Sequence, residues 1–166
     1  KQPIYLADKV PDIEEIVRRK HDYWQAYHDA LAAQLTRIKK NHGYALLWDA
    51  HSIAAEVPRF FDGVLPDLNL GTAGGQSCDL RLSADLFAMM RSSDYSAIHN
   101  GRFKGGYITR QHGTPNSGVH AVQMEISQNT YLLTSSDYEY DSIKANQLSQ
   151  LLKKMILVML DHSPNH

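Results

Sequence analysis

A single cysteine, Cys78, in 166 residues leaves no partner for an intramolecular disulfide. That excludes a small secreted scaffold held by covalent staples and fits a reducing compartment, so the cytoplasm is the expected location. No apolar run approaches the ~18–20 residues that span a bilayer, and no membrane partner is expected. Charge of one sign is also missing: 17 Lys and Arg stand against 18 Asp and Glu, a net −1. Nucleic-acid binders carry a clustered basic excess, so none is expected as a partner, and the pairs Lys39-Lys40 and Lys153-Lys154 read as solvated helix faces. The opening Lys1-Gln2-Pro3-Ile4-Tyr5 has neither an initiator Met nor signal-peptide architecture, which reads as a trimmed or truncated chain.

What is present is a hydrophobic content of 43%, enough to bury one core, so residues 1–166 are read as a single domain. Ile13, Ile16, Val17, Tyr23, Trp24, Tyr27, Leu31, Leu35 and Ile38 recur at three-and-four spacing, which predicts one long amphipathic helix from Pro11 to Lys40 with a buried apolar face. Pro11-Asp12 suits its first turn, and Asn41-His42-Gly43 its stop. Tyr44–Trp48 is nearly continuous in apolarity and reads as a strand covered on both faces. Residues 52–75 hold Pro58, Gly63, Pro66, Gly71, Gly74 and Gly75 and are expected to be a long functional loop without regular structure. A second helix is expected over Asp79–Arg91, a short strand at Ala97–His99, and a strand or hairpin arm over Gly101–Gly113 on the β-propensity of Tyr107-Ile108-Thr109. Turn residues Thr114–Gly118 lead into an alternating strand ending at Glu125, and Ile143 to Leu160 predict a C-terminal amphipathic helix. The fold class is therefore α/β, a mixed sheet flanked by helices.

Two places carry chemistry. Asp49-Ala50-His51-Ser52 puts an acid and an imidazole where a strand meets solvent, and Val119–Glu125 ends in a carboxylate after apolar neighbours. A histidine that ligates a metal and a carboxylate that activates water are two parts of a hydrolytic site. By spacing alone, a histidine placed as His51 is more often a capping or hydrogen-bonded one, and a glutamate placed as Glu125 more often an ordinary exposed carboxylate at a sheet rim. Asp49 is the candidate to orient the His51 imidazole from behind the metal, provided the strand continues far enough to put both on one face. His28 and His120 read as structural, His120 by parity on the face opposite Glu125, and His112 as a pocket candidate. Cys78 reads as small and buried, Trp24 and Trp48 as core.

Several stretches together resemble the N-formylglutamate amidohydrolase (N-formylglutamate deformylase) family: Tyr23–His28, Leu47–Ser52, Pro58–Gly63 with Pro66–Thr72, Asn100–Arg110 and Gly118–Glu125. The resemblance implies a phosphorylase/hydrolase-like α/β fold related to zinc carboxypeptidases. It implies metal-dependent hydrolysis of N-formyl-L-glutamate to formate and glutamate, a late step of histidine degradation. His51 falls at a metal-ligand position of that family and Glu125 at its general base, with a divalent metal, Zn²⁺ first, as cofactor. The family's N-terminal portion, with a His-Ser-Gly motif and a further carboxylate, has no counterpart, so the chain is expected to be the C-terminal part of a larger domain with the remaining ligands upstream of Lys1. Because the implied substrate carries carboxylates, fixed positive charge is expected around it: Arg102 and Arg110 first, with Asn100, Thr109, Lys104 and Arg59 as further donors. Each basic residue is equally read as a solvated strand edge. Two rivals remain open, hydrolysis of another N-acyl amino acid or peptide amide, and a non-catalytic remnant that serves as a binding or subunit module. Oligomeric state is not legible.

Overall fold

The computed structural model describes residues 3–133 and 138–162. From Ile13 to His42 the chain forms one uninterrupted helical stretch: α1 (Ile13–Arg19), a π-helical turn (Lys20–Gln25) and α2 (Ala26–His42). Asp12 starts it by accepting the Glu15 amide at 2.8 Å, and Gly43 ends it in the left-handed region at φ 83°, its amide on the Lys39 carbonyl. β1 (Ala45–Ile53), β2 (Leu68–Gly71), α3 (Leu80–Arg91), β3 (Ala97–His99), α4 (Tyr107–His112), β4 (Val119–Ser127) and α5 (Ser142–Asp161) follow. The strands form a mixed sheet in the order β1-β4-β2-β3. β4 lies inside it, parallel to β1 and antiparallel to β2, while β2 and β3 are parallel.

The two faces of this sheet differ in chemistry because alternate residues of each strand point to opposite sides. Leu68, Leu70, Val122, Met124 and Ile126 form a core with Leu82, Leu86 and Met90 of α3 and Leu148, Met155 and Met159 of α5. The residues between them, Asn69, Gln123, Glu125 and Ser127, are polar and also buried. Along β4 the sequence therefore alternates between a packed hydrophobic side and a polar side closed over by other elements, and the polar side carries the site. His120 belongs to the hydrophobic side, buried as its parity predicts, its Nδ1 accepting the Asp79 amide at 3.0 Å. Cys78 is buried beside it, and burial, reinforced by the Asp79 carboxylate, pushes its thiol up to about 12, which leaves it unreactive at neutral pH.

Helix α3 begins where the Asp79 carboxylate accepts the Arg81 amide at 2.7 Å and the Leu82 amide at 3.3 Å. An Asp79→Ala variant is expected to lose about 1 kcal/mol of stability with no change of fold. Urea denaturation checks it, through a lower midpoint at an unchanged slope.

Four expectations are corrected. The segment Gly101–Gly113 is not a hairpin arm: its second half is helix α4, opened at Gly106, whose amide donates to the Gln123 side chain. A non-local hydrogen bond thus overrides the local β-propensity of Tyr107-Ile108-Thr109. The glycine- and proline-rich stretch 52–75 contains β2, only four residues long but fully buried between two partners. Strand β1 runs past its expected end at Trp48 to Ile53, and the added Ala50, His51 and Ser52 are exposed. The long helix forms as predicted, but its apolar stripe is largely uncovered: Ile13, Ile16, Val17, Tyr23 and Tyr27 are exposed, and so is Trp24 at 38%, while Trp48 packs against the core. Periodicity reports which face of a helix is apolar, whereas its cover depends on what lies across from it, and here α2 meets β1 while the main contacts of α1 among the described residues are with the π-helical turn that follows it. Among the described residues no helix is long and apolar enough to cross a membrane.

Candidate active site

β1 runs on to Ile53, so Asp49 and His51, two residues apart, share one face of the sheet. The Asp49 carboxylate accepts from His51 Nε2 at 2.9 Å. That bond fixes the tautomer with hydrogen on Nε2 and leaves the Nδ1 lone pair free, the state in which an imidazole ligates a metal. The other Asp49 oxygen accepts from Thr109 Oγ1 at 3.4 Å. Thr109 is fully buried on α4, so it stands behind Asp49 and not in the open cleft.

Parallel pairing of β1 with β4 sets His51 opposite Glu125 and Asp49 opposite Gln123. Register partners in parallel strands face the same side, so the imidazole and both carboxylates belong to one face. Glu125 is 6% exposed, and burial raises its carboxyl above the ordinary value, with His51 opposing the rise and Asp49 adding to it. On its far side lies Asn69 of β2, which donates from Nδ2 to the Glu125 carbonyl at 3.2 Å and to the Pro66 carbonyl at 2.7 Å. Asn69 Oδ1 and Ser127 Oγ are buried on the same face without a hydrogen-bond partner among the described residues.

In front of Asp49 and His51 is a cleft of about 260 Å³. Trp24, Tyr27 and His28 of the long helical stretch form one wall, and Gly106, Tyr107 and Ile108 the other. The second wall is positioned from the sheet: Gln123 holds the Gly106 amide, which starts α4 at the cleft. Gly71 makes this approach possible, since a Cβ there would sit 2.6 Å from the Gly105 nitrogen and 2.8 Å from the Lys104 carbonyl carbon. Glu125 is one strand in from His51 and does not line this cleft.

The other polar residues singled out in the sequence lie elsewhere. Asn100, at φ 51°, accepts the Thr72 and Gly74 amides at 2.8 and 3.3 Å and donates to Thr72 Oγ1, so its amide clamps the loop after β2. Arg102 stacks over Phe61 at 5.5 Å, Arg59 over Phe60 at 5.6 Å, and Arg110 donates to the Gly105 carbonyl at 2.6 Å. Lys104 is exposed, and its carbonyl accepts the Ala73 amide. None of these four cations lines the cleft. Trp24, Tyr27, His28, Tyr107 and Gln123 do build or position it, and sequence reading gave them no such part. The available signal was Trp24 and His28 at i and i+4 on one helix face, where their rings meet at 4.4 Å.

A metal fits part of this arrangement. An imidazole oriented by a carboxylate is one corner of a catalytic metal site, yet among the described residues no group of three or more His, Cys, Asp or Glu side chains is placed to hold an ion.

The chain is similar to two N-formylglutamate deformylases over nearly its whole length. It is 44% identical over 160 residues to the N-formylglutamate deformylase of Pseudomonas aeruginosa and 41% identical over 160 residues to that of Pseudomonas putida. Each match takes in 96% of this chain but 60% of the relative, so the chain spans well under two thirds of their length. Among solved structures, an N-formylglutamate amidohydrolase from Ralstonia eutropha JMP134 superposes with a TM-score of 0.72 at 22% identity, over 89% of this chain and 54% of that one. A gene product of Agrobacterium tumefaciens gives 0.59 at 15%, over 92% and 56%. At these identities the two structures show a shared α/β fold. The sequence profile of N-formylglutamate amidohydrolases matches residues 1–132, which include all four strands and every side chain of the site, and the chain belongs to the N-formylglutamate amidohydrolase family.

Proposed function

We propose that the chain carries the water-activating half of a metal-dependent amidohydrolase that cleaves N-formyl-L-glutamate to formate and L-glutamate, a step of histidine degradation. The observation that carries this reading is the pairing of His51 with Glu125 across β1 and β4, with Asp49 on the imidazole. It is supported by relatives named N-formylglutamate deformylase. His51 Nδ1 is the ligand this chain offers, and the rest of the coordination sphere comes from outside the described residues. A divalent metal there, Zn²⁺ first, supplies Lewis-acid polarisation of the formyl carbonyl and acidifies water.

The chain's own residues do the remaining work. Glu125 takes a proton from the attacking water as the water oxygen bonds to the formyl carbon. As the C–N bond breaks, the same carboxyl returns the proton to the leaving amine nitrogen, which gives a neutral amine and formic acid; the acid's remaining proton then passes to the amine or to solvent, leaving formate and the ammonium form of glutamate. Burial suits Glu125 to both steps, because a carboxyl raised from its ordinary range is a better base when ionised and still gives the proton up. Asp49 keeps the His51 ring in one tautomer and orientation, and Thr109 keeps Asp49 in place.

The test is elemental analysis of dialysed protein together with formate release from N-formyl-L-glutamate. In protein that also supplies those further ligands, about one metal per chain and formate production are expected, and a metal-free, inactive protein sinks the reading. Asp49→Asn is expected to weaken metal affinity about 10–100-fold, measured by competition with a chromophoric chelator.

A further inference from the structure

The anionic substrate proposed above meets, in front of His51, a cleft that none of the described arginines or lysines lines. Among its lining residues the basic side chains are His51, committed to Asp49, and His28. His28 is half-buried and is surrounded by aromatic rings. Trp24 lies 4.4 Å from its ring, Tyr107 presses edge-on at 4.9 Å, and His112 of α4 stacks at 5.7 Å with 23° between the planes. His28 Nδ1 and His112 Nε2 are 3.4 Å apart. This contact accommodates one hydrogen between the two rings. When His112 donates it, the neutral His28 carries its own hydrogen on Nε2, the one ring nitrogen not turned to His112.

We propose that His28 is the specificity-determining residue of the cleft, donating from Nε2 to a carboxylate of the acyl amino acid, with His112 holding the ring in the donor tautomer. An anion at Nε2 selects that tautomer over its alternative, so recognition and the His28–His112 contact reinforce each other. The aromatic neighbours fix the donor in advance, which lowers the ordering cost of binding. The inference rests on the acyl amino acid reading above and adds to it which side chain reads the substrate's charge.

The experiment compares His28→Phe, which keeps the aromatic packing and removes the donor, with His28→Gln, which restores a donor. For N-formyl-L-glutamate, His28→Phe is expected to raise KM roughly tenfold or more, the size of one charge-assisted hydrogen bond, with kcat little changed. His28→Gln is expected to recover part of the loss. The diamide analogue, which lacks both carboxylates, should bind wild type and His28→Phe alike. In the wild-type chain, ring-nitrogen NMR during titration with glutarate, a dicarboxylate with no scissile amide, should shift His28 Nε2 before any other imidazole nitrogen. Equal losses for the charged and neutral ligands, an unmoved Nε2 signal, or loss of metal in His28→Phe overturn the proposal. Formate release by the wild type with an unchanged KM in His28→Phe defeats this inference alone, whereas a wild type that releases no formate defeats the deformylase reading itself.

Discussion

Glu125→Gln is expected to lower kcat for N-formyl-L-glutamate by about 10²–10⁴-fold, the range a positioned general base contributes, while leaving KM and metal content near wild type. The amide keeps the size and the backbone contact of the glutamate, including the Asn69 bond to its carbonyl, so the loss is one of proton transfer and not of shape. The pH profile separates the two. Wild-type kcat/KM should rise with pH as Glu125 loses its proton, with the rise displaced above the ordinary carboxylate range because burial raises this group, and the limb should vanish in the variant. Stability should move the other way. A carboxyl raised in the folded chain keeps its proton in a pH window where the unfolded chain has already released it. Folding is then linked to proton uptake, and stability falls as pH rises from the ordinary carboxylate value through the raised one. Glu125→Gln removes that slope, so at neutral pH the inactive variant should be at least as stable as wild type. Urea melts at pH 4 and 7 check this, and a variant that loses both activity and stability at neutral pH marks Glu125 as a structural residue.

Gly71→Ala is expected to destabilise the protein by about 3 kcal/mol and to disturb the cleft at the same time. The added Cβ meets backbone atoms of Lys104 and Gly105, which do not rotate away as a side chain end does. Relief requires the 103–105 segment to move off β2. That segment leads into Gly106, held by Gln123, and then into α4, which supplies Tyr107 to the cleft and Thr109 to Asp49. The expected signature is a lower denaturation midpoint together with loosened metal binding, although Gly71 touches neither the imidazole nor either carboxylate. A stability loss with unaltered metal affinity would show that α4 tolerates the shift.

What was legible in the sequence divides along a physical line. Local patterns fixed the elements whose determinants lie within a few residues: the helix started by Asp12 and stopped by Gly43, the strand at Ala97–His99, the helix capped by Asp79, the turn into β4 and the C-terminal helix. Parity along β4 also placed His120 in the packed face and Glu125 on the other before any partner strand was known. The errors fell where a distant group decides. Tyr107-Ile108-Thr109 became helix because Gln123 holds the amide before it, and Leu68–Gly71 became a buried strand because two partners lie beside it.

The site divides in the same way. Asp49, His51 and Glu125 were visible as candidates by residue type and by resemblance. That Asp49 and His51 share a face depended on β1 running past His51, and that Glu125 stands beside His51 depended on the register of β1 against β4, a non-local quantity that no window of sequence contains. The arginines chosen for their charge went to Phe61, to Phe60 and to a backbone carbonyl, since charge alone does not say where a long side chain ends. The sequence by itself determined the α/β class, the polar and apolar alternation of β4 and the chemical types at hand. Only the tertiary structure decided which strand edges meet and which helix walls the cleft, because those choices follow from pairing and packing across tens of residues, not from the preferences of neighbours in the chain.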